Sequence, residues 1–125
     1  MRESIHSDEA PRPIGPYSQA VRAAGLVFVS GQIAIDPKTN AKVAGDVAAQ
    51  THQVLRNLEA VLQAAGSGLE KVVKTTVYMT DLTDFPVMNE VYGQYFKGVN
   101  PARATVEVRR LPGDAKVEIE AIALG

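Results

Sequence analysis

The sequence predicts an α+β domain in which two amphipathic helices cover one face of a β-sheet. Three observations carry this. Segments 47–65 and 85–97 repeat apolar residues at helical spacing. Segments 26–30, 72–80, 102–109 and 116–124 are β-branched or alternate apolar with polar. The two kinds follow one another as β-α-β-α-β-β, and right-handed crossovers then place both helices on the same side of one sheet. The chain has 125 residues. That length suits one core rather than two, so 1–125 is read as a single domain.

The elements follow in order. Pro11, Pro13, Gly15 and Pro16 make a rigid entry segment. Leu26 to Ser30 is an apolar strand that Gly31 is expected to end, and Val21 to Ala23 pairs with it across Ala24-Gly25. Asp36 to Gly45 reads as a loop. The first helix, Val47 to Ala65, has Asp46 as its cap and Gly66 as its stop. Val47, Thr51, Val54, Leu55, Leu58, Val61, Leu62 and Ala65 form its buried stripe, with Gln50, His52, Arg56, Glu59 and Gln63 outward. Val72 to Thr80 is a strand with Val73, Thr75, Val77 and Met79 on one face. The second helix, Phe85 to Lys97, starts at Asp84 with Pro86 in its first turn and buries Phe85, Met88, Tyr92, Tyr95 and Phe96. In the last two strands, Ala102, Ala104, Val106 and Val108, and Val117, Ile119, Ala121 and Ala123, are expected to face the helices. The opposite face would then carry Arg103, Glu118 and Glu120 beside Ile122, Leu124 and Tyr78. Such a mixture of charge and apolar bulk suits either a subunit interface enclosing a polar pocket or a solvated face.

Composition narrows the function. Hydrophobic residues are 46% and charged residues 22%, ordinary for a globular domain. A net charge of -1 argues against an electrostatic nucleic-acid binder. There is no cysteine, and His6 and His52 are the two histidines. Disulfides, thiolate chemistry and a His/Cys metal site are therefore not expected. No nucleotide-binding glycine motif occurs, and no cofactor is expected. The start of the chain lacks the apolar core of a secretory signal, and no apolar run nears the ~20 residues that span a bilayer. A cytoplasmic protein without a membrane partner is the expectation.

Several residues could carry chemistry. Arg103 is fenced by Ala102 and Ala104 and could present its fork to a carboxylate. A weak surface ion pair is the plainer account from pattern alone. Glu118 and Glu120, two apart on a strand, share a face and could divide acid and base work, or simply be solvated. Tyr17 in the entry turn could donate to a ligand or cover the core edge. Ser30-Gly31 offers close backbone approach or an ordinary strand end. Asn89, on the shoulder of the second helix's stripe, orients a loop or touches a pocket. His52 reads as solvated and His6 as unpartnered.

Seven segments together resemble the Rid/YjgF family of reactive intermediate deaminases: I-G-P-Y-S-Q-A (14–20), S-G-Q-I (30–33), Q-V-L-R-N-L-E-A-V-L-Q-A-A-G (53–66), V-V-K-T-T-V-Y (72–78), D-F-P-V-M-N-E-V-Y (84–92), P-A-R-A-T-V-E-V (101–108) and V-E-I-E-A-I-A (117–123). They keep the family's order and spacing over nearly the whole chain. The resemblance implies a chorismate-mutase-like mixed sheet with the core strand order 26–30, 116–124, 72–80, 102–109. It also implies a homotrimer with clefts between subunits. The implied reaction is cofactor-free hydrolysis of 2-enamine or 2-imino acids to 2-keto acids and ammonia. By similarity, Arg103 clamps the substrate carboxylate and Glu118 positions or activates the attacking water. Tyr17, Ser30, Gly31, Asn89 and Thr105 match pocket positions. Thr105 stands where many members carry cysteine, and Arg12 replaces a commonly small residue. The rival readings are a non-catalytic binder of small carboxylates and an endoribonuclease or translation inhibitor.

Overall fold

The computed structural model describes residues 1–125. Along the chain lie β1 (Glu3–Ile5), β2 (Ala20–Ala23), β3 (Leu26–Gln32), β4 (Ile35–Asp36), β5 (Ala41–Lys42), α1 (Val47–Ala64), β6 (Val72–Met79), α2 (Phe85–Tyr95), β7 (Ala102–Glu107) and β8 (Val117–Leu124). Six strands form one mixed sheet in the order β1-β2-β3-β8-β6-β7. β6 and β7 run parallel, and every other pair in the sheet is antiparallel. The order of the four long strands is the expected one. Two helices and a mixed sheet make the fold α+β. No helix is long and apolar enough to cross a membrane.

The first helix is held by burial rather than by its charges. It has no acidic residue in its first turn and no basic residue in its last. Asp46 caps it by accepting from the Ala49 N–H at 3.0 Å, and Gly66 leaves it at φ +75°. Val54, Leu55, Leu58, Val61 and Leu62 are fully buried in one core with Val27, Val77, Val117 and Ile119. Each large apolar side chain so buried contributes about 1.5–3 kcal/mol.

Two residues expected to face outward on α1 do not. Gln50 is buried and accepts from the Lys116 N–H at 2.9 Å, tying α1 to the approach to β8. His52 is half-buried, with Nδ1 2.8 Å from the Tyr95 hydroxyl, and joins the two helices. Asn57, also buried, donates to the carbonyls of Ile33 and Ile35 at 3.2 and 2.9 Å. Gln50 and Asn57 pin connecting backbone to the helix, and His52 pins the second helix to the first.

Other expectations change at the strands. β1 adds an unforeseen strand on β2, and β4 and β5 make a small ribbon within the expected loop. Gly31 does not end β3, which continues to Gln32 through an interruption of its ladder with β8 between Val29 and Gln32. Both α2 and β7 stop two residues early, at Tyr95 and Glu107. Asp84 makes no side-chain cap. Asp81 instead accepts from the Thr83 N–H and hydroxyl at 2.9 and 2.6 Å, bonds that hold its carboxyl below the usual range. A register shift between Val72 and Lys74 turns Val73 outward, leaving Val72, Thr75, Val77 and Met79 buried.

The largest correction concerns β7. Its parallel register sets Arg103 beside Thr75 and Thr105 beside Val77, and Thr75 and Val77 are fully buried under the helices. Arg103 and Thr105 therefore lie on the helix side of the sheet. The apolar set Ala102, Ala104 and Val106 lies on the open side. β7 is an edge strand that α2 covers only in part, so helix-side burial does not dictate its alternation. The open side also carries Tyr78, Glu118, Glu120 and Ile122, with Phe28 and Leu124 exposed.

Candidate functional site

The candidate residues gather into two groups on opposite faces of the sheet. Tyr17, Ser30, Gly31 and Glu118 line one pocket of about 360 Å³, with Arg12 and Ile33 among its walls. Asn89, Arg103 and Thr105 lie at the α2–β7 edge. Within one chain, the two residues matched to catalytic positions do not meet.

The pocket is built around the interruption in β3. Gln19 is buried and fastens the entry segment: it accepts from the Ser7 N–H at 2.6 Å and donates to the carbonyls of Ser7 and Pro11 at 3.1 and 2.8 Å. The Ser30 hydroxyl donates to the Ser18 carbonyl at 2.6 Å, and the Ser30 N–H to the Gln19 carbonyl at 2.9 Å. With both its protons engaged, Ser30 meets a ligand as an acceptor. Tyr17 is half-exposed, its turn closed by its N–H on the Gly15 carbonyl at 2.8 Å.

Gly31 allows a close approach by Glu118. A Cβ there would collide with Glu118 Oε2, so the absent side chain is the space the carboxyl occupies. Burial pushes the Glu118 pKa up, and the nearby charge of Glu120 adds to it. No hydrogen bond offsets that shift. Glu120, by contrast, accepts from the Tyr78 hydroxyl at 2.9 Å, which together with burial holds that phenol above its usual range.

The second group presents a cation. Arg103 Nη1 donates to Asn89 Oδ1 at 2.8 Å, and the guanidinium carbon lies 4.7 Å from the Tyr92 ring centre and 5.5 Å from that of Phe85. It joins none of the ion pairs, which link His6 to Asp8, Arg22 to Glu3 and Arg110 to Asp114. His6 thus has a partner that the sequence did not suggest. With Nη1 on Asn89, the Nε–Nη2 edge of Arg103 is left for a planar anion. Asn89 acts on Arg103 and shares no pocket with Tyr17. Two residues along the same face, Thr105 Oγ1 is a buried side-chain oxygen with no hydrogen-bond partner. Such a group ordinarily finds one. Tyr92 was read only as core, although its i, i+3 spacing from Asn89 placed the two on one helix face.

Comparison with known proteins finds relatives over nearly the whole chain. The family described as Endoribonuclease L-PSP matches residues 7–125. A RutC family protein of Pyrococcus horikoshii is 56% identical over 123 residues, 98% of either chain. The chloroplastic Reactive Intermediate Deaminase A of Arabidopsis thaliana is 46% identical over 122 residues, which are 98% of this chain and 65% of that protein. The crystal structure of YyfA from Yersinia pestis, a Rid family protein of unknown function, superposes with a TM-score of 0.98 at 47% identity, covering 100% of both chains.

Proposed function

Because the chain belongs to the Endoribonuclease L-PSP family, which also holds Rid and RutC proteins, we propose that it hydrolyses 2-enamine and 2-imino acids to 2-keto acids and ammonia. The observation that carries this reading is Glu118. It is a carboxyl in a mostly apolar pocket, its pKa pushed up by burial, with space kept for it by Gly31. A plain carboxylate binder needs Arg103 but has no use for a tuned acid. Glu118 and Glu120 on the open face also oppose a polyphosphate, which weighs against RNA as substrate.

The working site is shared between copies. Arg103 faces the helix side and Glu118 the open side, so one chain supplies the clamp and the next the pocket, in a homotrimer with three such clefts. The exposed apolar side chains of the open face, Phe28, Val106 and Leu124, are what such an interface covers.

The chemistry follows from the groups present. The free edge of Arg103 holds the substrate carboxylate, and the Thr105 hydroxyl supplies a further hydrogen bond beside it. Enamine substrates enter after protonation at carbon gives the imine. A water oxygen bonds to C2 of the imine while the C=N π pair moves to nitrogen. Glu118 takes a proton from that water and returns it to the nitrogen. Glu118 then takes the proton of the remaining hydroxyl and passes it to the nitrogen as the C–N bond breaks, so ammonia leaves and the keto group forms. Tyr17 closes the pocket over the substrate side chain. The imine carbon is already electrophilic, so the scheme calls on no cofactor.

The test is keto-acid release from freshly generated 2-aminoacrylate and its four-carbon homologue, against the uncatalysed rate. Wild type accelerates release. Arg103→Ala loses about ten- to a hundredfold in kcat/KM, the scale of charged hydrogen bonds, with an unchanged melting temperature. No acceleration by wild type on either substrate refutes the reading, and a matched loss of activity and stability makes Arg103 structural.

A further inference from the structure

Tyr92 is a buried phenol on α2 whose position is fixed twice over. Its hydroxyl lies 2.7 Å from the fully buried Thr75 hydroxyl, and its ring packs on Phe96 with centres 4.5 Å apart. Burial raises its pKa, while the Thr75 bond, the Arg103 charge and a hydrogen bond with Arg103 work the other way. The ring therefore stays neutral and presents its face to Arg103 at 4.7 Å. Below it, Thr75 is the strand partner of Arg103, so one pair of neighbouring strands sets both the arginine and the ring under it. Glu107, further along β7, accepts from the Leu82 N–H at 2.9 Å and holds the start of α2 against the same strand.

We propose that Tyr92, pinned by Thr75, is a positioning residue for Arg103: a fixed aromatic plate that holds the guanidinium at the sheet edge with its Nε–Nη2 side outward. An arginine on an exposed edge strand otherwise samples many rotamers, each of which must be given up on binding an anion. The plate and Asn89 remove that freedom before ligand arrives. The attraction of the cation to the ring keeps the guanidinium there without consuming the edge that binds carboxylate. Phe85 adds a second ring at 5.5 Å. The proposal rests on reading Arg103 as the clamp, and its test separates the two.

The Arg103 Nε–H signal of the unliganded protein, assigned by its loss in Arg103→Lys, reads the plate directly. In wild type it lies upfield of free arginine and exchanges slowly with water. Tyr92→Leu returns it to the free position and Tyr92→Phe does not. In turnover of 2-aminoacrylate, Tyr92→Leu raises KM about tenfold while kcat changes less than about twofold, and Tyr92→Phe, which keeps the ring and loses only its bond to Thr75, raises KM about two- to threefold. In an Arg103→Ala background, Tyr92→Leu changes KM no further. If Tyr92→Leu does not fold, Thr75→Val, which frees the ring without removing it, raises KM about two- to threefold. An Arg103 signal at the free position in wild type overturns the proposal. So does an unchanged KM in the folded variants, or an equal effect of Tyr92→Leu with and without Arg103. Absence of turnover in wild type with the signal upfield defeats the reaction assignment and leaves the plate standing.

Discussion

Glu118 and Arg103 belong to the same sheet, but their surroundings treat charge in opposite ways. Glu118 sits in a concave, mostly apolar pocket beside another carboxylate, and both features disfavour its ionised form. Arg103 sits on an exposed edge against aromatic faces and an amide oxygen, all of which suit a cation. One region tunes a proton and the other presents a fixed charge. Those are the two requirements of imine hydrolysis, a mobile proton at nitrogen and an anchored carboxylate. The proposed reaction draws on both regions, and the sheet lies between them.

Substitutions separate the two regions. Glu118→Gln has the largest expected effect, a loss of about 10²–10⁴ in kcat, the range of a positioned acid–base group. Its affinity for pyruvate, measured by calorimetry, stays within about threefold, since the clamp is intact. Equal losses of both would assign Glu118 to binding.

Gly31→Ala comes next. A methyl group there takes the place of the Glu118 carboxyl, which must swing aside. We expect kcat to fall about tenfold or more with Arg103-dependent binding preserved, because misplacement by an ångström is costly in an oriented reaction. Wild-type kcat in Gly31→Ala would show that the carboxyl need not lie over β3.

The smallest effect is a displacement in pH. The proposed base is Glu118 in its ionised form, so kcat/KM falls as pH drops through its pKa, which lies above the ordinary glutamate value. Glu120→Gln removes the neighbouring charge and makes Glu118 easier to ionise. The acid limb of the profile then moves to lower pH, though not to the ordinary value, because burial remains the larger cause. A limb that stays put, or moves upward, would mean another group controls it.

Much of this was legible in the sequence where one face of an element is buried. The α1 stripe, its Asp46 cap and the alternation of β8 all reflect a single core, and pattern reads cores well. The face of β7 was not legible, because an edge strand with Ala102, Ala104 and Val106 on the open side follows no single-chain hydrophobic rule. Gln50 and His52 misled for a related reason: their partners are a backbone N–H and a tyrosine hydroxyl far along the chain. Glu118 and Arg103 were identified as residues, but not their placement on opposite faces. That depends on the parallel register of β7 with β6, which no local signal encodes. The Arg103 plate was half-legible, since Tyr92 follows Asn89 by one helical turn, but its bond to Thr75 needed the fold.

The account's central claim is that each site takes Glu118 from one chain and Arg103 from another. The most direct test mixes two impaired variants, Arg103→Ala and Glu118→Gln, unfolded together and refolded at equal concentration. In a cyclic assembly, random association returns both intact groups to about a quarter of the clefts. We predict about a quarter of wild-type activity in the mixture, and only the residual activity of the two variants when they are refolded apart and then combined without exchange. A co-refolded mixture as inactive as its components would contradict the shared site.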